Sequence, residues 1–545
     1  MHGFGVPRGT RYDSRLPRPL RSKINSMKTD RVSSFCLPRP LITRRQAIQA
    51  TLAAGVTALL SGCGASASSP DIGGTGPSNS QPTPSGPMTD ASLTVTAAAS
   101  GSIGPAFAGL SYEKSSLTEP LFSGSNSNLV GLFERLGSSI LRIGGNSVDR
   151  NVWAPAGAGQ TSGQIAPADV DALAAFLKAT GWQCLYGINL GGSGPAPYTS
   201  GSFTAATTST LAAEEVAYVS AQLGSSLLGI EIGNEPDLYG SSYYAGSTWT
   251  LSTFETVWQQ FRAAIAAQTP GVTVTGPADA SNESKWTVPF GQWATKSNIA
   301  LLTQHYYRGN GQSASSTAAN LITADPNLVS DLSILKAGSQ GIGIPFRISE
   351  CNSYYNGGAD GVSDSYASSL WVIDYLFDCA LGGASGVNLH GGGNGSGYTP
   401  IADSDGAVVE ARPEYYGMLF FTLAGQGTLL TATLNAGSLN ATAYAVKSSS
   451  GAINLIVNNK DLTNNLDLSI QLPQSASSAT LLEMTQLSSG ASAPDLTATG
   501  GVTVQGASVA TDGSFSPAAP YTLNPSGATL DCYVPALSAV LIQVS

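Results

Sequence analysis

The sequence predicts an α/β protein: a (β/α)8 TIM barrel with a C-terminal antiparallel β-sandwich that also takes an N-terminal strand. Three observations predict it. From residue 105 to about 425, eight short apolar runs alternate with helical patterns. Beyond residue 426 the helical period disappears, and short strand-like runs separated by Gly, Ser, Asn and Pro take over. One alternating segment, Leu93-Thr94-Val95-Thr96, lies ahead of the barrel and outside its count.

The chain has 545 residues, 42% of them hydrophobic, enough for two or three folded units with a large core. The barrel strands are read at Phe107–Glu113, Ile140–Gly144, Cys184–Leu190, Leu228–Gly233, Val272–Gly276, Ala300–Tyr306, Phe346–Glu350 and Val387–His390. Between them, segments such as Val170, Leu173, Ala174 and Leu177 put apolar residues at i, i+3, i+4 and i+7, which is one face of a helix. Continuous apolar strands alternating with such helices make a parallel sheet covered on both faces. A doubly wound sheet is the alternative, but no Gly-rich phosphate loop follows any of these strands.

The remaining elements follow from composition. Residues 1–63 read as an export segment: Arg44-Arg45 precedes an apolar stretch, Ala47 to Leu60, that is too short to span a bilayer. Thr43-Arg44-Arg45 resembles a twin-arginine signal, and Leu60-Ser61-Gly62-Cys63 resembles the bacterial lipobox, which implies lipidation at Cys63. A cut near Ala65-Ser66-Ala67 would instead free the protein. Residues 64–90 are almost wholly Ser, Gly, Pro, Ala, Thr and Asn and read as a disordered linker. Residues 91–104 carry the strand expected to join the β-sandwich, 105–425 the barrel and 426–545 the sandwich. Sandwich strands are expected at Thr431–Val446, Ile453–Val457, Leu466–Leu472, Ala479–Met484, Val502–Val509 and Cys532–Val544.

Charge excludes several partners. Residues 1–45 hold 11 Lys and Arg against 2 Asp and Glu, leaving 14 basic and 33 acidic residues of the chain's 25 and 35, a formal −19. A body so poor in cations cannot neutralise many phosphates or sulfates, so nucleic acid is excluded as a partner, and contact with a membrane is expected only through the lipid anchor. Cys184, Cys351, Cys379 and Cys532 are widely spaced with no CxxC, so they form no zinc knuckle, and sequence leaves any pairing open.

In a barrel, reactive side chains sit at the C-terminal ends of strands. Ile230-Glu231-Ile232-Gly233-Asn234-Glu235-Pro236-Asp237 closes the fourth strand and Arg347-Ile348-Ser349-Glu350-Cys351-Asn352 the seventh, on opposing sides of a narrow mouth. Two convergent carboxyls there suit glycosidic bond cleavage: one protonates the leaving oxygen and the other attacks the anomeric carbon. Glu231, deeper in the strand, is read as a supporting residue. His305 and His390 both fall at strand ends, but their separation argues against metal ligation, and no cofactor is expected.

The strand-four and strand-seven motifs resemble those of clan A retaining glycoside hydrolases. Gly109-Leu110-Ser111-Tyr112-Glu113, Leu141-Arg142-Ile143-Gly144-Gly145-Asn146, Gln304-His305-Tyr306-Tyr307 and Asn388-Leu389-His390-Gly391-Gly392 further resemble glycoside hydrolase family 79, which holds bacterial β-glucuronidases and heparanases. The resemblance spans roughly residues 91–545. It implies Glu235 as general acid/base and Glu350 as nucleophile, with Asn234 on the sugar 2-hydroxyl and Tyr307 or His305 orienting Glu350. Tyr355, Gly357 and Tyr398 match positions that hold a sugar C6 carboxylate with neutral donors. Glu113 and Asp149 would meet ring hydroxyls, and Tyr239, Tyr243 and Tyr244 could stack on the aglycone. The expected activity is an exported, retaining exo-β-glucuronidase acting on a glucuronic-acid-containing glycan. The alternatives are an endo-acting heparanase-like or hyaluronan-cleaving hydrolase, and a non-catalytic glycan-binding surface lipoprotein.

Overall fold

The computed structural model describes residues 79–295 and 299–545. The export segment, Cys63 and most of the linker lie outside the described residues.

All eight expected barrel strands are present: Ala108–Glu113, Ile140–Gly144, Gln183–Ile188, Leu227–Ile232, Val274–Asp279, Ile299–Tyr307, Phe346–Asn352 and Val387–Gly391. They pair in parallel in chain order, and the eighth closes on the first. Nearly every residue of these strands is buried, because helices cover the outside and side chains fill the inside. The helix Pro167–Thr180 shows how the cover is built: Pro167 opens it and Gly181, at φ +69°, ends it in the left-handed region. Val170, Leu173, Phe176 and Leu177 make its buried face, with Ala174 at the edge. Phe176 then packs on Phe133, which in turn packs on Trp182.

The barrel interior holds buried charged side chains. At its lower end Arg347 donates from Nε to Asn388 Oδ1 at 2.6 Å and from its other nitrogens to the carbonyls of Ala106, Phe107 and Val387. Burial draws this guanidinium down to about 9. A Cβ at Gly386 would stand 1.9 Å from Arg347 Nη1, so only glycine lets the arginine lie across the barrel floor. Beside the first strand, Lys114 is fully buried and donates to Glu215 Oε1 at 2.6 Å and to the Gly187 carbonyl at 2.9 Å.

The second layer is one continuous ten-stranded sheet. The N-terminal strand, Met88–Ile103, belongs to it as expected and is longer than the sequence suggests. It runs antiparallel to Gly427–Asn435 and parallel to Asn465–Gln471, so the sheet is mixed where the sequence predicts an antiparallel one. Two expected single strands are each two. Thr431–Val446 breaks between Gly427–Asn435 and Ala441–Lys447, where Gly437 turns at φ +64°. Cys532–Val544 breaks between Thr529–Val534 and Ser538–Val544, where Pro535 lacks an N–H and Leu537 sits at φ +48°.

One face of this sheet closes on itself over Leu93, Val95, Leu455, Leu468, Leu481 and Ile542. The other rests on the barrel. Phe377, on the helix Tyr366–Leu381 that follows the seventh strand, stacks on Tyr444 with centroids 4.2 Å apart. One turn earlier, Asp374 accepts from Thr442, Tyr444, Asn458 and Lys460 of the sheet. The sheet thus clamps the helix behind one of the two site-bearing strands. Because Leu93 is buried between strands and its neighbour Thr94 is exposed, Leu93→Ala should cost about 2–5 kcal/mol of unfolding free energy. Thr94→Ala should stay within about 0.5 kcal/mol, both read by chemical denaturation.

Candidate active site

Glu235 is placed by a strained turn. The fourth strand ends at Ile232, Gly233 turns at φ +85°, and Glu235 itself lies at φ +52° before Pro236 opens a short 3-10 turn. A non-glycine residue in that region costs on the order of 1–3 kcal/mol and persists only where its surroundings hold it. Here the Glu235 N–H donates to the Ala278 carbonyl at 2.9 Å, and Trp249 Nε1 donates to the Pro236 carbonyl at 2.7 Å.

Glu350 needs no such turn, since it lies within the seventh strand and projects from its upper half. One carboxylate oxygen of Glu235, one of Glu350 and a ring nitrogen of His305 all lie within 4.8 Å of one another. The two glutamates that sequence places at opposite strand ends therefore face one small volume.

The charges around them differ. Arg142, in the second strand and fully buried, lies under Glu350: Nη1 reaches Glu350 Oε2 at 2.6 Å, Nε reaches Glu231 Oε2 at 2.6 Å, and Nη2 reaches Asn234 Oδ1 at 2.9 Å. Tyr307 donates its hydroxyl to Glu350 Oε1 at 2.9 Å, and His390 Nδ1 stands 3.8 Å from Oε2. Burial alone would raise the Glu350 carboxyl, but His390, His305, Arg142 and the Tyr307 hydroxyl together hold it well below the usual carboxylate range. Burial and the Glu350 charge in turn hold the Tyr307 phenol well above its usual value, so it remains a donor.

His305 contacts Glu235, not Glu350. Its Nδ1 lies 3.1 Å from Glu235 Oε1 while Nε2 has no partner. Of the two residues expected to orient Glu350, Tyr307 does so, and His305 belongs to the other carboxyl. A neutral imidazole nitrogen can accept from a protonated Glu235 or donate to an ionised one, so this contact suits either state.

A cavity of about 940 Å³ opens over the pair, lined in part by Glu113, Asn146, Tyr355, Gly357, His390 and Tyr398. Tyr355 is 45% exposed at its mouth. Asn356, Gly357 and Gly358 all have positive φ, and the N–H groups of the two glycines take no partner among the described residues. The loop carrying Tyr398 packs backbone to backbone on this one, since a Cβ at Gly397 would stand 1.6 Å from the Gly357 carbonyl oxygen. Tyr398 packs against Tyr307 and His390, with centroids 5.8 and 6.1 Å away. Glu113 reaches the cavity while accepting the N–H groups of Asn146 and Ser147 at 3.2 and 2.7 Å. Asn234 is buried, with Oδ1 committed to Arg142 and its side-chain nitrogen unpartnered.

Asp149 departs from expectation. It is 1% exposed and does not line the cavity, because its oxygens accept the N–H groups of Leu190 and Gly191 and the Tyr239 hydroxyl. Tyr239 and Tyr244 are likewise buried, packed on each other and on Trp249, and none of the three expected tyrosines lines the cavity. Tyr239 instead accepts the Asn234 N–H at 3.0 Å, next to the Glu235 turn.

Arg142 is the residue that sequence reading left without a role. Its signal was there: a charged residue between Leu141 and Ile143 in an otherwise apolar strand has to find buried partners. Among the described residues, Glu235, His305 and Glu350 are the one group spaced to hold a metal ion. The guanidinium already on Glu350 satisfies that charge and opposes a second cation. All four described cysteines are buried free thiols.

The eight-stranded parallel barrel thus brings glutamates from the ends of its fourth and seventh strands to one cavity. No protein-family model matches the chain. It is similar to β-glucuronidases of Aspergillus niger (27% identical over 214 residues, 34% of this chain and 38% of the relative) and Neurospora crassa (23% identical over 222 residues, 36% and 39%). The matched stretch thus spans well under half the length of these curated relatives. Among solved structures, a 4-O-α-L-rhamnosyl-β-D-glucuronidase from Fusarium oxysporum aligns over 84% of this chain and 99% of its own at a TM-score of 0.66 and 18% identity. A GH51 arabinofuranosidase from Xanthomonas axonopodis pv. citri aligns over 84% and 100% at 0.60 and 15%. At such identities the likeness is one of fold.

One buried carboxyl near the site sets a pH dependence of stability. Glu414 accepts from Asn352 at 3.1 Å, has no partner at Oε1, and burial pushes it up to about 8. The fold therefore binds its proton more tightly than the unfolded chain does. The resulting stability is full below pH of about 4 and is lost as pH climbs towards 8, the opposite sign to Glu350, whose contribution is lost as pH falls. Glu414→Gln should flatten the decline in melting temperature between pH 5 and 8, followed by thermal melts across that range.

Proposed function

We propose that the protein is an exported, retaining exo-β-glucuronidase that removes terminal β-linked glucuronic acid from oligosaccharides or polysaccharides, anchored through Cys63. The observation that carries the reading is the pairing of an ionised, cation-backed Glu350 with Glu235 inside 4.8 Å. That spacing falls short of the roughly 6.5–9.5 Å that inverting enzymes keep for an intervening water.

In the first step Glu235 gives its proton to the glycosidic oxygen as a Glu350 oxygen bonds to C1, and the aglycone leaves as an alcohol. In the second, Glu235 takes a proton from water, the water oxygen bonds to C1, and the Glu350–C1 bond breaks. Asn234, fixed through Arg142, offers its free side-chain nitrogen to the 2-hydroxyl. Glu113 takes ring hydroxyls. Tyr355, the free amide of Gly357 and Tyr398 hold the C6 carboxylate with neutral donors. The contact between the loops of Gly357 and Gly397 walls one end of the cavity, which supports attack on a chain terminus. The low count of cations beyond residue 45 speaks against a heparin-like polymer.

Proton NMR of p-nitrophenyl β-glucuronide hydrolysis should show the β-anomer of glucuronic acid first; the α-anomer first would refute retention. Glu350→Gln should lower kcat by several orders of magnitude while ligand binding survives, which also separates an enzyme from a glycan-binding lipoprotein. Tyr307→Phe removes one donor from Glu350, raises that carboxyl, and should move the acidic limb of kcat/KM upward by about one pH unit. An unmoved limb would mean that Glu350 does not set it.

A further inference from the structure

The cavity has two chemically different sides. Barrel order puts strands seven, eight, one and two on one arc, with Glu350, His390, Glu113 and Asn146, and strands four, five and six on the other. Glu235 and His305 stand on the second arc. A general acid acts on the leaving oxygen, so the space beyond it receives the aglycone.

That space is lined by Ser281 and Glu283 from the loop after strand five, by Arg308 after strand six, and by Asn327, Ser330 and Asp331 from the helix Pro326–Ile342. Glu283 is 6% exposed and reaches the cavity; its backbone carbonyl accepts the Val288 N–H at 2.8 Å, while its carboxylate takes no hydrogen bond or ion pair from another residue. The carboxylate of Asp331, half-buried on that helix, likewise has no hydrogen bond or ion pair, and partial burial with Glu283 and Asp325 nearby pushes it up to about 6. The one cation there is already engaged: Arg308 donates to the Thr323 carbonyl at 2.9 Å, to Thr323 Oγ1 at 2.8 Å and to the Ala324 carbonyl at 3.3 Å, and stands 3.6 Å from Asp325. His305 Nε2, buried and unpartnered, completes the wall.

We propose that this arc is an aglycone subsite for an uncharged, hydroxyl-rich sugar, with Glu283 and Asp331 as acceptors for its hydroxyls and as the charges that turn away sulfated or carboxylated sugars. The inference rests on the glucuronidase reading and adds the class of leaving group to it. Carboxylates without donors, one buried and one half-buried, are satisfied by hydroxyls and penalised by a second anion, so selection comes as much from repulsion as from fit.

The test compares two disaccharides, glucuronic acid β-linked to a neutral hexose and the same compound sulfated on the hexose, beside p-nitrophenyl β-glucuronide. The native enzyme should favour the neutral disaccharide by about tenfold or more in kcat/KM at low salt, and the ratio should shrink as salt screens the repulsion. Glu283→Gln and Asp331→Asn should each draw the ratio towards one, whereas Glu283→Asp should largely keep it. Equal native rates, a ratio indifferent to salt, or a ratio kept by the doubly neutralised variant would overturn the subsite while p-nitrophenyl β-glucuronide is still cleaved. Failure to cleave any of the three substrates would overturn the parent reading, and this inference with it.

Discussion

The site depends on one buried cation. Arg142 crosses the barrel and bonds Glu231, Glu350 and Asn234 at once, so the second, fourth and seventh strands meet through a single guanidinium. Arginine suits the place because its planar fork presents several donors at fixed angles and stays charged when buried. Burial would lower its pKa, yet Glu231 and Glu350 raise it, and the same pairing keeps Glu350 ionised. Removing one member of such a cluster would strand a charge in the core, typically at about 3–5 kcal/mol. Glu231, fully buried, thereby has a use: it balances the arginine, which then serves the reactive carboxylate above.

That arrangement demands a rigid frame. Strand seven is held from behind by the helix Tyr366–Leu381, which the mixed sheet clamps through Asp374 and Phe377. It is held from below by Arg347, which ties it to the first and eighth strands. The second sheet therefore braces the active strand and does not hang from the barrel as an independent module. Such bracing matters to a nucleophile that must meet a sugar carbon within a few tenths of an ångström.

The eight barrel strands were legible because each is a short apolar run bounded by polar turns, and register follows once every strand is buried. The two glutamates were legible for a related reason: position in an eight-fold repeat tells which strand ends oppose each other. Sequence could not show where a polar side chain spends its hydrogen bonds. Asp149 looks like a cavity residue because it follows strand two, yet two backbone N–H groups and Tyr239 consume it. His305 and Tyr307 are two residues apart on one strand and differ only in which glutamate they face, a distinction fixed by the partner's backbone turn. Glu283 and Asp331 come from distant loops with no shared motif. The split of Cys532–Val544 was visible in Pro535, while the parallel pairing of Met88–Ile103 with Asn465–Gln471 was not, since pairing direction leaves no mark on composition.

The two carboxyls are held by opposite means, and the difference suits opposite tasks. Glu350 sits in a relaxed strand beside an arginine, a phenol and the His390 imidazole, so its environment favours the anion while its backbone is unstrained. Glu235 sits in a left-handed turn with one imidazole contact and a side chain 18% exposed, so its backbone is constrained while its carboxyl has few partners. A nucleophile has to be an anion at every turnover, but an acid/base must change state twice. The strain at Glu235 is then the cost of bringing a strand-end residue within 4.8 Å of its partner. Its supports, the buried Asp149 and Tyr239 and the half-buried Trp249, act on the turn and not on the carboxyl, and they stabilise the geometry without touching the chemistry.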